Sequence, residues 1–241
     1  MTETAEEPAI DPALRAKLAL VLDLDDMVAA RRLAKRLRPW FGVVKVGLEL
    51  FSAVGPDAIT ASRDMGFEIF VDLKLLDIPT TVNRAGQVLA SLGASYVTMH
   101  AFGGVPMLQA GVAGLRDGAV NAGLPEPVAV AVTVLTSDGD APPHVLAKRV
   151  GIAVEAGCGG IVCAASDLHE AGQYGPRLVK VVAGIRREGA DTHDQARPAT
   201  ARQALEGGAD LLVIGRAVTE ADDPAAAAAA LAADLAGATR T

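Results

Sequence analysis

A single-domain (β/α)8 barrel is the fold class this sequence predicts, and three observations point to it. Short apolar, strand-like runs alternate with helix-like segments along the whole chain of 241 residues. Glycines stand at the joints where a helix ends and the next strand begins. Polar residues gather at the carboxyl ends of nearly all the strand-like runs, the end where such barrels carry their active sites. A doubly wound open sheet shares the alternation and is the competing arrangement.

In chain order, strand Leu18–Asp23 is followed by helix Asp25–Arg38, and strand Val43–Gly47 by helix Leu50–Met65. Strand Glu68–Lys74 leads to helix Thr80–Leu92, and strand Tyr96–His100 to helix Val105–Ala122. Strand Val128–Leu135 precedes helix Pro143–Ala156, and strand Gly160–Ala164 precedes helix Asp167–Gln173. Strand Leu178–Ala183 with helix Ala199–Glu206, and strand Asp210–Ile214 with helix Pro224–Ala236, complete the set. Gly42, Gly66, Gly93, Gly123, Gly157 and Gly208 sit where helix C-caps are expected. Asp223-Pro224 reads as an N-cap with a first-turn proline, and the alanines after it are the best helix formers.

Composition narrows the class. Apolar residues make up 51% and aromatics 3%, and Ala, Val, Leu and Gly dominate, which fits a small-residue α/β protein and argues against disorder. The net charge of −7, with no basic block or aromatic-basic stripe, argues against nucleic acid as a partner. It does not exclude an anionic substrate, because a few basic groups can converge locally. Cys158 and Cys163 do not make a disulfide framework or a known metal spacing, so buried packing in a reducing cytoplasm is expected. Met1 to Ile10 is acidic and lacks the features of a signal peptide, and no apolar run reaches the roughly 20 residues that span a bilayer. Residues 1–10 are read as a loosely ordered tail and 11–241 as the barrel, with no membrane association.

The strand-end rule selects candidate site residues. Asp23 ends the first strand. Lys45 lies between Val44 and Val46, which would face the helices. Asp72 and Lys74 share one face of the third strand, with Val71, Leu73 and Leu75 on the other and Asp77 just beyond. Charges at the end of a buried strand are costly unless paired, which makes this a functional candidate. His100 ends the fourth strand, where a satisfied core histidine is the expectation. Thr136-Ser137 follow the fifth. Arg186 follows the seventh, and Gly215-Arg216 the eighth, the usual place in these barrels for a phosphate held by backbone N–H groups and a guanidinium fork. Gly215 would admit close backbone approach. Gln195 could add an amide donor from the polar segment 184–197, read as a lid closing on the phosphate.

Asp72-Leu-Lys-Leu-Leu-Asp-Ile-Pro-Thr-Thr81 resembles the signature of the orotidine 5′-phosphate decarboxylase family. Weaker matches lie in the right order: Leu22-Asp23, Lys45-Val46-Gly47, Met99 to Gly104, Thr133 to Ser137, Gly184-Ile185-Arg186, Asp194-Gln195 and Val213 to Arg216. The resemblance spans almost the whole chain and also favours the barrel. It departs at Ala183, where the family has proline, at Phe102, where a small polar residue is usual, and at the short segment Asp138–Pro143.

The resemblance implies cofactor-free decarboxylation of orotidine 5′-phosphate to uridine 5′-phosphate, a step in making pyrimidine nucleotides. It implies an alternating Lys45–Asp72–Lys74–Asp77 array, with Lys74 giving a proton to C6 and Asp72 near the substrate carboxylate. Lys45 would orient Asp72 and bind ribose hydroxyls, and Asp23 would bind the ribose. Thr136 or Ser137 would contact the pyrimidine amide, with the motif alignment favouring Thr136. Asp77, Ile78 and Thr81 would serve the neighbouring subunit's site, which implies a homodimer. The alternative is a metal-dependent ketose-phosphate decarboxylase or aldolase of the same superfamily. Those relatives carry an acid where this chain has Lys45, so no metal site is expected.

Overall fold

The computed structural model describes residues 10–139, 141–142, 144–186, 197 and 199–238. Parallel strands close into a barrel in chain order: β1 (Leu18–Val21), β2 (Val43–Gly47), β3 (Glu68–Leu75), β4 (Tyr96–His100), β5 (Val128–Val132), β6 (Gly160–Cys163), β7 (Val179–Val182) and β8 (Leu211–Ile214). The ring is shut by β8 against β1, with Leu18, Ala19 and Leu20 opposite Leu212, Val213 and Ile214. That pairing rules out the open sheet.

Around the barrel lie α1 (Pro12–Ala16), α2 (Met27–Leu37), α3 (Leu48–Val54), α4 (Asp57–Arg63), α5 (Pro79–Ser91), α6 (Gly104–Ala122), α7 (His144–Glu155), α8 (Leu168–Tyr174), α9 (Ala201–Glu206), α10 (Arg216–Thr219) and α11 (Pro224–Ala238). Among the described residues, no helix is long and apolar enough to cross a membrane.

Period-two alternation divides the strands into two cores. Ala19, Val21, Val43, Phe70, Val130, Val181, Leu211 and Val213 fill the interior of the barrel. Leu20, Val44, Val46, Ile69, Val71, Val97, Met99 and their counterparts pack outward under the helices. Lys45 therefore points into the barrel, as its position between Val44 and Val46 predicts.

Capping sets several helix starts. Asp26 accepts from Val28 and Ala29 N–H at the head of α2, and Asp223 from Ala225 and Ala226 N–H at the head of α11. Gly66, Gly93, Gly123, Gly157 and Gly208 have positive φ, as expected at helix-to-strand turns.

Four expectations need correction. Gly42 is not such a cap: a Cβ there would lie 2.8 Å from Arg15 O, so the glycine allows a close crossing of chains. The predicted helix 50–65 is two, because Gly55 turns at φ +66° and Pro56 follows it. The predicted fifth strand stops at Val132 instead of Leu135. Ile10 packs partly buried against the core, although residues 1–10 were read as a loose tail, and 1–9 lie outside the described residues. Helices α1 and α10 escaped the sequence reading because five and four residues are too few to show a helical period.

Helix α5, which begins at Pro79 within the segment Asp72–Thr81, is fixed by close packing on α6. A Cβ on Gly114 would lie 2.1 Å from Asn83 O, so only glycine permits this approach.

Candidate active site

A cavity of about 730 Å³ opens at the carboxyl ends of the strands. Its polar lining includes Asp23, Lys45, Asp72, Lys74, Thr136, Arg186 and Arg216, and Gly184 and Gly215 contribute backbone. Phe70, Val132, Val134, Val162 and Val213 form its apolar floor and wall.

The local geometry of β3 creates the charged side. Phe70 and Val71 pair with Tyr96 and Val97, but Leu75 is next to pair, with Met99. Between the paired positions β3 advances four residues and β4 two, so residues 72–74 bulge from the ladder. Lys74 has φ +50°, the only positive value at a non-glycine among the described residues. A left-handed lysine costs about 1–2 kcal/mol, and such strain persists where its surroundings enforce it.

Thr98 supplies that enforcement. Lys74 N–H donates to Thr98 Oγ1 at 2.8 Å, and Thr98 Oγ1 donates to Asp72 Oδ1 at 3.1 Å. Lys74 Nζ then donates to both Asp72 oxygens, at 2.9 and 3.0 Å. Thr98 is fully buried and was missed by the sequence reading. The signal was present: it shares the inward parity of Tyr96 and His100, and an inward hydroxyl in a buried strand needs a partner.

Lys45 extends the network. Its Nζ lies 3.6 Å from Asp72 Oδ2 and 3.2 Å from Asp23 Oδ1. Gly47, two residues on and on the same face, makes room for this pair. A Cβ there would lie 2.6 Å from Lys45 Nζ and 2.9 Å from Asp23 Oδ1. Within one protomer the array is thus Asp23–Lys45–Asp72–Lys74. Burial would push the Asp72 carboxyl up, but the Lys45 and Lys74 charges, with the hydrogen bonds from Lys74 and Thr98, hold it below the ordinary carboxylate range. Of the two lysines, Lys74 is the more open, its side chain 34% exposed against 11% for Lys45.

Other candidates divide clearly. Asp77, Ile78 and Thr81 are exposed and do not line this cavity, and Asp77 Oδ1 accepts from Ile78 N–H at 2.6 Å. Thr136 lines the cavity and Ser137 does not. Gln195, most of the segment 184–197 read as a lid, and parts of Asp138–Pro143 lie outside the described residues. His100 is also off the lining. Its Nδ1 accepts from Phe102 N–H at 3.1 Å, and burial, then Arg149 and Lys74, lower its pKa, so the ring is neutral near pH 7. Phe102 is exposed beside the His100 ring and does not line the cavity either. Burial pushes the Cys158 and Cys163 thiols up to about 12, which disfavours their thiolates near neutral pH.

Chemically, the cavity joins a preset cation–anion network on one side to two arginines on the other, of which Arg186 donates through Nη1 to Ile185 O at 3.0 Å. It can bind a phosphorylated ligand and stabilise negative charge that develops near Lys74.

Comparison with known proteins bears on this arrangement. A family model described as "Orotidine 5′-phosphate decarboxylase / HUMPS family" matches residues 16–231. The chain is 41% identical over 231 residues to the orotidine 5′-phosphate decarboxylase of Moorella thermoacetica, covering 91% of this chain and 92% of that one. It is 42% identical over 230 residues to that of Anaeromyxobacter sp. (strain K), covering 91% and 98%. The crystal structure of orotidine 5′-phosphate decarboxylase from Lactobacillus acidophilus superposes with a TM-score of 0.76 at 32% identity, covering 90% of this chain and 97% of that one.

Proposed function

Because the chain belongs to the orotidine 5′-phosphate decarboxylase / HUMPS family, we propose that it decarboxylates orotidine 5′-phosphate to uridine 5′-phosphate, without a cofactor. The observation that carries this reading is Lys74. Its strained backbone and its contact with Asp72 hold an ammonium inside a cavity that also contains Arg186 and Arg216.

Decarboxylation breaks the bond between C6 and the carboxylate and leaves an electron pair on a ring carbon with no carbonyl placed to absorb it. Fixed positive charge is the available remedy, and it is most effective when it is oriented before the reaction starts. Lys74 provides that charge and then gives its proton to C6, becoming a neutral amine. Asp72, ionised by its lysine neighbours, faces the departing carboxylate. Lys45 holds Asp72 and, with Asp23, binds the ribose. Thr136 contacts the pyrimidine amide. Arg186, Gly215 and Arg216 take the phosphate, with Gln195 as an added donor. Lys45 favours this reading over a metal-using relative, since it puts a cation where a divalent ion would need an acid.

We also infer a homodimer in which Asp77, Ile78 and Thr81 complete the partner's site. Their exposure just outside the cavity supports this, as does the apolar pair Leu76 and Ile78 left open to solvent.

The test follows loss of the orotate chromophore when purified protein meets orotidine 5′-phosphate, with and without chelator. Equal turnover in both arms is expected, and none in either would overturn the decarboxylase reading. Mixing inactive Asp72→Asn and Asp77→Asn proteins should restore part of the activity through heterodimers with one unmutated site. No recovery despite verified subunit exchange would count against shared sites.

A further inference from the structure

The connection after β7 is stitched to its own return. Arg186 N–H donates to Ala199 O at 2.9 Å, and Ala199 N–H to Gly184 O at 3.4 Å. Arg197, just before that return, reaches elsewhere. Its Nη1 donates to both oxygens of Asp167, at 2.6 and 2.7 Å, and its Nη2 to Leu135 O at 3.1 Å. Asp167 Oδ2 in turn accepts from Ala164 N–H at 3.3 Å, directly after β6. One guanidinium thus links the end of β6, the segment after β5 and the return of the β7 connection.

The location of this link separates it from the scaffold. The β5–β6 ladder runs as far as Val132 opposite Val162, and the β6–β7 ladder as far as Cys163 opposite Val182. Arg197 and Asp167 act beyond both, where no ladder holds the chains. Both side chains are largely buried, at 21% and 12% exposure. A buried ion pair adds little net stability but is costly to break from one side, so it suits the fixing of geometry. Neither residue lines the cavity, yet the segments beside them do: Leu135 and Thr136 after β5, and Gly184 and Arg186, which are hydrogen-bonded to Ala199 two residues past Arg197.

We propose that Arg197 and Asp167 are positioning residues that hold the base-side segment after β5 and the phosphate-side segment after β7 at one fixed separation, so that a nucleotide is gripped at both ends at once. The proposal rests on the nucleotide reading above. The reacting groups lie on β2–β4, outside the clamp, so its loss should act on binding more than on chemistry.

The experiment compares Arg197→Gln, Asp167→Asn, their double variant and Arg197→Lys with the parent chain. In each, KM for orotidine 5′-phosphate should rise about tenfold, with kcat within about twofold. The double variant should be no worse than the worse single, because the two residues act as one unit. Hydrogen exchange should quicken at the amides of 135–138 and 164–167, with or without ligand. Should Arg197→Gln fail to fold, Arg197→Lys carries the test, since a single ammonium cannot span Asp167 and Leu135 as the fork does. Unchanged exchange at these amides would overturn the clamp. An equal fall in kcat and kcat/KM would overturn its role in binding. The exchange readout needs no substrate, so failure of the clamp and failure of the decarboxylase reading remain distinguishable.

Discussion

The two sides of the cavity are built on different principles. On the β2–β4 arc the charges answer one another: Lys45 lies between Asp23 and Asp72, Lys74 lies on Asp72, and Thr98 links Asp72 to the Lys74 backbone. On the β7–β8 arc, Arg186 and Arg216 line the cavity beside Gly184 and Gly215. The first arc is set when the barrel folds, at the cost of a strained lysine. The second brings two arginines and two glycines to the cavity, with Arg186 Nη1 donating to Ile185 O at 3.0 Å. Groups that must stabilise a transition state gain from being fixed in advance, whereas groups that hold a remote anion need mainly charge and reach.

That contrast predicts different losses. On the proposed mechanism Lys74→Ala removes both the fixed cation and the proton, so kcat should fall at least about 10³-fold. Uridine 5′-phosphate should still bind, as calorimetry would read. A kcat within tenfold of the parent would erase the distinction between the arcs. Arg216→Ala should cost about 10²-fold in kcat/KM, mostly through KM, which is the scale of about 1.5–3 kcal/mol for hydrogen bonds to a charged group. If Arg216→Ala lowered kcat alone, the β8 end would belong to the chemistry instead.

The same contrast governs what could be read from the sequence. The barrel was legible because period-two strands and glycine joints recur in regular order. Asp72 and Lys74 were legible as charges sharing a strand face, and Lys45 as a cation between two valines. The bulge that turns Lys74 left-handed was not legible, because it depends on how β3 and β4 pair. The task of Thr98 was not legible either, since its partners lie on another strand. Gly47 appeared only as part of a motif, and its task of clearing space for Lys45 and Asp23 emerges only in three dimensions. Strand and helix ends shifted by a few residues because local pattern does not fix where a ladder stops.

A test of the β2–β4 arc by itself comes from acid. The Asp72 carboxyl is held below its ordinary value of 3.8 in the folded protein. A depressed carboxyl stabilises the fold fully above the unfolded value, and that stabilisation is lost as pH falls through the native one. Asp72→Asn should therefore be less stable than the parent near pH 7, by about 1–3 kcal/mol. The gap should begin to narrow below about pH 4, where the unfolded chain's carboxyl takes up a proton, and close as the native one does. Urea titrations near neutral pH and near pH 3 would measure it. A gap of constant size would assign the loss to packing and not to the charges.

The smallest effect should come from His100, which sits on the charged side of the barrel without joining its network. Decarboxylation removes no proton from the substrate, so it needs no general base. The ring accepts a hydrogen bond from Phe102 N–H, stays neutral near pH 7 and lies off the cavity lining. His100→Gln keeps a side-chain acceptor and removes only the titration. Its kcat should stay within about twofold of the parent, and the pH–rate profile should keep its shape between pH 5 and 8. A new or vanished limb near the ordinary histidine range would show that the β4 end takes part in proton transfer. The arc would then extend one strand-end group further than its hydrogen bonds indicate.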